Sequence, residues 1–281
     1  MRLSRNRRWG HPDLVRLVER LSREAVADGW PGLLLGDFSQ PRGGPMLTGH
    51  ASHQVGLDAD IWFTPMPKQR MSIVEREKVS AVSMLKDDSL HVDDRKWTSA
   101  HEGLLRRAAS YPQVERIFVH PGIKKKLCDT VGGDRSWLRK IRPFWGHHYH
   151  FHIRIGCPED SPGCRTQAAT PPGEGCDDSL AWWFTEEPWK PADGPEQPRA
   201  RDVMTMQALP NACRAVLAAP APPSEAAVTL AGAAGTGRKY RSRLPAHVVA
   251  AGRCPLADAK AVLINLKKAC RTAFQRHRGR L

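Results

Sequence analysis

His150-Phe-His-Ile-Arg-Ile155 alternates polar and apolar side chains, so in extended backbone His150, His152 and Arg154 share one face and Phe151, Ile153 and Ile155 share the other. The apolar three read as the side turned to a core, which points two imidazoles at one place. Immediately upstream, Trp145-Gly-His147-His148-Tyr-His150 makes this a dense histidine cluster, and nine of the 12 histidines fall between residues 50 and 152. The second cluster is Gly49-His50-Ala-Ser-His53-Gln-Val-Gly-Leu-Asp58-Ala-Asp60. Two imidazoles and one carboxylate suit a catalytic zinc, because three protein ligands leave the fourth tetrahedral position for water. The residual charge of about +1 on such a site favours ionising that water. Independent core histidines are not expected to fall at H-x2-H-x6-D and H-x2-H-x-H spacings together.

Outward from these clusters, Pro12 to Asp28 predicts an amphipathic helix, with Leu14, Leu17, Val18, Leu21 and Ala25 at helical spacing and Gly29 closing it. Gly32-Leu-Leu-Leu-Gly36 predicts a buried strand near 33–35, and the loop Pro41-Arg-Gly-Gly-Pro45 leads into the first histidine cluster. Ser99 with Glu102 reads as a capping box opening a helix over 99–110. Further strands are expected near 60–63, 117–119 and 151–155. This mixture predicts an α+β fold in which a small antiparallel sheet, flanked by helices, carries the ligands. The catalytic domain is expected over 1–184, a Pro-rich linker and cysteine segment over 185–215, and a basic, partly disordered tail over 216–281 with a candidate helix at 255–276.

The 281 residues carry a formal charge of +14, which raises nucleic-acid binding as a function class. Its distribution argues otherwise. From Thr185 to Leu281 there are 16 Lys and Arg against 7 Asp and Glu, so +9 of the charge lies in the tail, clustered at Arg238–Arg243 and Lys267–Arg280. No nucleic-acid-binding motif accompanies it, and a solvated segment is the plainer reading. No window approaches the roughly 18 apolar residues that a membrane-spanning helix needs. Seven cysteines form no CxxC pair; Cys157 and Cys164 flank a Pro- and Gly-containing loop short enough for its ends to meet, and disulfides would imply an oxidising compartment. Against that, Met1-Arg-Leu-Ser-Arg-Asn-Arg-Arg8 supplies positive charge but no following apolar run, so no signal peptide is read in the sequence. His101-Glu102 begins like the H-E-x-x-H zinc helix, but Leu105 stands where the second histidine is needed. His11, His101, His148, His247 and His277 read as ordinary structural histidines.

Residues 49–60 and His147–Cys157 resemble the penicillin-insensitive murein endopeptidases, zinc peptidases of the LAS type. The likeness continues through Arg116-Ile-Phe-Val-His-Pro-Gly-Ile-Lys124, Asp134–Pro143 and Gly173-Glu-Gly-Cys176, and covers roughly residues 7–215. The resemblance implies a zinc bound by His53, Asp60 and His152, with His150 as general base or transition-state stabiliser. His50 matches a further site histidine and stands as a candidate ligand, while His147 would orient substrate or water. Asp88-Ser-Leu-His91 matches a pair that in the family can hold a second metal; its plain alternative is a solvated polar loop. The resemblance also implies disulfides Cys128–Cys176 and Cys157–Cys164, and leaves Cys213, Cys254 and Cys270 with open pairings. The implied substrate is the D-alanyl-meso-diaminopimelyl cross-link of peptidoglycan in the periplasm, cut without a serine for a β-lactam to acylate. A carboxypeptidase acting on terminal D-alanine, and a non-catalytic zinc- or nucleic-acid-binding module, are the rival readings.

Overall fold

In the computed structural model, which describes residues 2–46, 52–161, 163–190, 206–207 and 209–230, the sheet strands are separated by helices of uneven length. In chain order the elements are α1 (Pro12–Ala27), β1 (Asp58–Trp62), α2 (Ile73–Lys78), α3 (Ser99–Ser110), β2 (Val114–Val119), α4 (Pro121–Thr130), β3 (Ile141–Pro143), β4 (His150–Ile155), α5 (Asp178–Ala181) and α6 (Asn211–Ala218). The sheet order is β1-β4-β2-β3. The expected α+β architecture is therefore present. β4 lies between β1 and β2, antiparallel to both, and short β3 extends the sheet by pairing parallel to β2.

The alternation of residues 150–155 does what its pattern predicts. Phe151, Ile153 and Ile155 join Ala59 and Ile61 of β1, Ile117 and Val119 of β2 and Ile141 of β3 in one buried cluster. Onto it packs the stripe of α1, made by Leu14, Leu17, Val18, Leu21 and Ala25, with Leu104, Leu105, Ala108 and Ala109 of α3. Burying a side chain of this size contributes about 1.5–3 kcal/mol.

β2 contains an irregularity that matters for the opposite face. Val114 pairs with Ile155 on the core side, but the register shifts, and Arg116 then pairs with Arg154 and Phe118 with His152. The extra residue, Glu115, inverts the facing of everything after it. Strict alternation from buried Val114 would have sent Arg116 and Phe118 into the core.

Two expectations need correction. Residues 33–35 form no regular strand; a single bridge links Leu35 to Ile61. The backbone follows β1 through Trp62 N to Leu34 O (2.9 Å) and Gly36 N to Asp60 O (2.8 Å), then slips, so that Asp60 N reaches Asp37 O (3.0 Å). Gly36 permits this approach, since a Cβ there would lie 2.9 Å from Asp60 Cβ. The cap of α3 also sits one residue earlier than read: Thr98 N donates to His101 Nδ1 (3.1 Å), and Ser99 is already helical. That bond leaves Nε2 to donate to Phe63 O (3.1 Å), so buried His101 is structural and Glu102 is not the capping residue.

Two disulfides close loops: Cys128–Cys176, 48 residues apart, and Cys157–Cys164, seven apart. The first ties α4 to the segment leading into α5. There Leu180, Trp183 and Trp189 form a second small core with Trp145 and Phe184 packed against it, so the packed region runs past residue 184. Cys213, in α6, is also disulfide-bonded. Among the described residues no helix is long and apolar enough to cross a membrane. The candidate helix at 255–276 and both basic clusters of the tail lie outside the described residues.

Candidate metal centre

The face of the sheet turned away from the core carries the polar residues. Register places Asp60 beside His152, Asp58 beside Arg154 and Trp62 beside His150. His53 comes from the loop before β1, where its φ of 64° lies in the left-handed region that non-glycine residues seldom adopt. Its backbone N–H donates to Asp58 Oδ2 (3.2 Å), which holds the turn and brings the ring back toward Asp60. Strained backbone of this kind often marks functional positions.

Three imidazole nitrogens converge on one carboxylate oxygen. Asp60 Oδ1 lies 3.1 Å from His152 Nδ1, 3.2 Å from His53 Nε2 and 3.5 Å from His150 Nε2. His53, Asp60 and His152 are all buried, and their donor atoms lie within 4.8 Å of one another; among the described residues they are the one such group of three. A tetrahedral cation with arms of about 2.0–2.1 Å has ligand–ligand edges of about 3.3 Å, so the donor types and their spacing fit a zinc-like ion.

Asp58 organises this group from behind. Its Oδ1 accepts from His152 Nε2 (2.8 Å) and its Oδ2 from Arg154 Nη1 (2.6 Å) as well as from the His53 backbone. A proton on Nε2 leaves the Nδ1 lone pair of His152 facing Asp60, which is the tautomer a metal ligand needs. Burial would raise the Asp58 pKa, but the His152 hydrogen bond and the charges of His152 and Arg154 outweigh it and lower it to about 2. At Asp60 burial is likewise outweighed, chiefly by His53 and His150, and the carboxyl stays well below its ordinary value. Without metal, burial would lower the His152 pKa, but the Asp58 and Asp60 hydrogen bonds raise it to about 9. The same two carboxylates that favour a proton there favour a metal cation. Asp58→Asn keeps the volume but presents an NH2 group to Arg154 or to the His53 amide. It is expected to weaken zinc affinity about 10- to 100-fold, read by competition against a chromophoric chelator; unchanged affinity would remove Asp58 from this role.

The other expected residues distribute unevenly. His147 is half-buried, with its ring 4.8 Å from that of His150 and 5.9 Å from that of His152. Its Nδ1 sits 2.6 Å from Trp145 O, and since a carbonyl only accepts, Nε2 keeps its lone pair. Burial, reinforced by His150 and His152, lowers its pKa well below the ordinary imidazole value. Asp88 and His91 are exposed on the turn between Leu85 and Val92 and join no group of three donors among the described residues; His91 stacks on Phe184 at 5.4 Å. Gly122 positions that turn, because a Cβ there would collide with Leu90 O. His50 lies outside the described residues.

Sequence reasoning missed two supporting residues. Asp58 could have been found, being two positions from Asp60 in a strand and hence on the same face. His120 could not: buried, it caps α4 by accepting from Gly122 N at Nδ1 (3.0 Å) and donates its backbone N–H to His147 O (2.8 Å). Burial, with His148 adding, pushes its pKa down to about 3, so the cap stays neutral.

The sequence profile of the family described as penicillin-insensitive murein endopeptidase matches residues 1–218. The chain belongs to this family. Among murein endopeptidases of this type, the protein of Haemophilus influenzae is 47% identical over 201 residues, covering 71% of this chain and 68% of that protein. Those of Salmonella newport and Salmonella dublin are each 43% identical over 217 residues, covering 77% of this chain and 76% of theirs. The matched span of this family member contains every residue of the His53–Asp60–His152 group, both described disulfides and the aromatic segment through Trp189.

Proposed function

We propose that this chain is a zinc-dependent endopeptidase that hydrolyses D-alanyl-meso-diaminopimelyl cross-links of peptidoglycan, working outside the cytoplasm. The observation that carries the reading is the convergence of His53 Nε2, His152 Nδ1 and Asp60 Oδ1 within a family of murein endopeptidases. Disulfide pairing supports an oxidising compartment such as the periplasm.

Zinc held by His53, Asp60 and His152 would supply Lewis-acid polarisation of the peptide carbonyl and a water of lowered pKa. The protein's own residues do the rest. His150 Nε2, beside Asp60, accepts the proton of the attacking water and returns it to the departing amine. The lone pair of His147 Nε2 orients water or a substrate N–H. Asp58 holds His152 in register and tautomer. No serine is acylated in this scheme, which accounts physically for insensitivity to penicillin. His50 as a further ligand, and Asp88 with His91 as holders of a second metal, remain within the proposal.

The test is digestion of purified murein dimers by the full chain, with metal content measured on the same preparation. Dimers should yield monomers, chelation should stop the reaction and zinc should restore it. Release of free D-alanine from monomers in place of dimer cleavage would make the enzyme a carboxypeptidase. Full activity in metal-stripped protein would defeat the zinc reading.

A further inference from the structure

Beside the metal group, the same face of the sheet carries three arginines. The register shift in β2 turns Arg116 to this face, opposite Arg154 of β4, and Arg142 of β3 pairs with Phe118, whose other neighbour is His152. Arg154 is paired with the carboxylate of Asp58 (2.6 Å), although its Nε is buried without a hydrogen-bond partner. Arg116 and Arg142 are not matched in that way. Arg116 donates from Nη2 to Ala168 O (2.6 Å), while its Nε is buried without a hydrogen-bond partner. The side chain of half-buried Arg142 makes no hydrogen bond or ion pair among the described residues. Its guanidinium lies against Gly175, where a Cβ would come within 3.0 Å of Nη1.

The nearby acids are committed elsewhere or stand off. Asp58 serves His152, Arg154 and the His53 amide. Asp177 accepts from Ser179 N (3.0 Å) and Ser179 Oγ (2.6 Å), and Glu174 pairs with Arg135 (2.7 Å). Asp177 acts on Arg142, and Glu115 on Arg116, only through space. Burial lowers the pKa of both arginines, and Arg154 and Arg142 add to the effect on Arg116. Half-buried, crowded cations with spare donors form an anion site, because planar guanidinium donors match a carboxylate.

We propose that Arg116 and Arg142 form a subsite that holds a free carboxylate of the peptide substrate. Arg142 stands two strands from His152, roughly 10 Å at strand spacing, which an extended peptide covers in about three residues. The subsite therefore reads a carboxylate a few residues from the scissile bond, the kind of group that a diaminopimelate-containing peptide carries. The identity of the substrate rests on the murein reading above; the carboxylate preference does not depend on cleavage.

The experiment is calorimetric titration of the zinc-loaded full chain with a murein-derived tetrapeptide monomer as free acid and as its fully amidated form. The wild type is expected to bind the free acid at least about tenfold more tightly. Arg142→Gln should lose about tenfold for the free acid and nothing for the amide, Arg116→Gln should lose less, and Arg142→Lys should recover part of the difference. Equal binding of both peptides by the wild type overturns the subsite. Equal loss of both peptides in Arg142→Gln, at unchanged metal content and melting temperature, overturns it too. Dimer digestion separates the two readings: discrimination without cleavage sinks the endopeptidase and keeps the subsite, while cleavage without discrimination does the reverse.

Discussion

Replacing His152 by alanine is expected to empty the metal centre and to lower dimer cleavage by on the order of 10³-fold or more. His152 Nδ1 faces Asp60 Oδ1 at 3.1 Å, while its Nε2 is tied to Asp58 at 2.8 Å, so the substitution removes the proposed ligand and its orienting bond together. Lewis-acid activation contributes several kcal/mol to such a reaction, and each 1.4 kcal/mol is about tenfold in rate. The variant should purify with little zinc at concentrations that saturate the wild type. The loss should not be rescued by added imidazole unless zinc is added as well. Wild-type cleavage by zinc-poor His152→Ala would remove the metal from the mechanism.

His150→Ala should behave differently. Its Nε2 is 3.5 Å from Asp60 Oδ1, farther than the imidazole nitrogens of His53 and His152, and its ring lies 4.8 Å from that of His147. If His150 moves the proton, the variant keeps its zinc, and kcat falls about 10²- to 10⁴-fold while KM changes little. Loss of zinc with loss of rate would instead make His150 a ligand, since the geometry brings it close enough for either role. Measuring metal content and kcat on one preparation decides between them.

The sheet face was legible because its signal is local. Six residues of strict alternation place His150 and His152 together, and the His53–Asp60 spacing brings a second set of donors to the neighbouring strand. β3 escaped notice because Ile141-Arg-Pro143 is too short to show a period, and its place at the sheet edge follows from tertiary pairing alone. α4 was hidden by its cap: His120 is not among the residues that usually open helices. The stretch 33–35 had strand composition, yet Gly36 lets its backbone slip along β1 and forfeit regular pairing. In the site, Asp60 and His152 could be read as donors, but the service of Asp58 to three partners could not, because Arg154 and His152 are nearly a hundred positions away in sequence. Asp88 and His91 stand exposed on one turn, and their role as holders of a second metal belongs to the proposal above.

The irregularity at Val114–Arg116 carries a consequence for how the strand tolerates changes in length. Side chains along a strand obey parity, and Glu115 is the odd residue that reverses it. Deleting that one residue would leave Arg116 directly after Val114, so that plain alternation alone keeps Arg116 and Phe118 out and Ile117 and Val119 in. Ironing out the bulge with Glu115 retained would instead send Arg116 and Phe118 inward and turn Ile117 and Val119 out, a charged and ill-fitting core facing an apolar cleft. The strand thus tolerates losing its odd residue better than losing the kink that accommodates it.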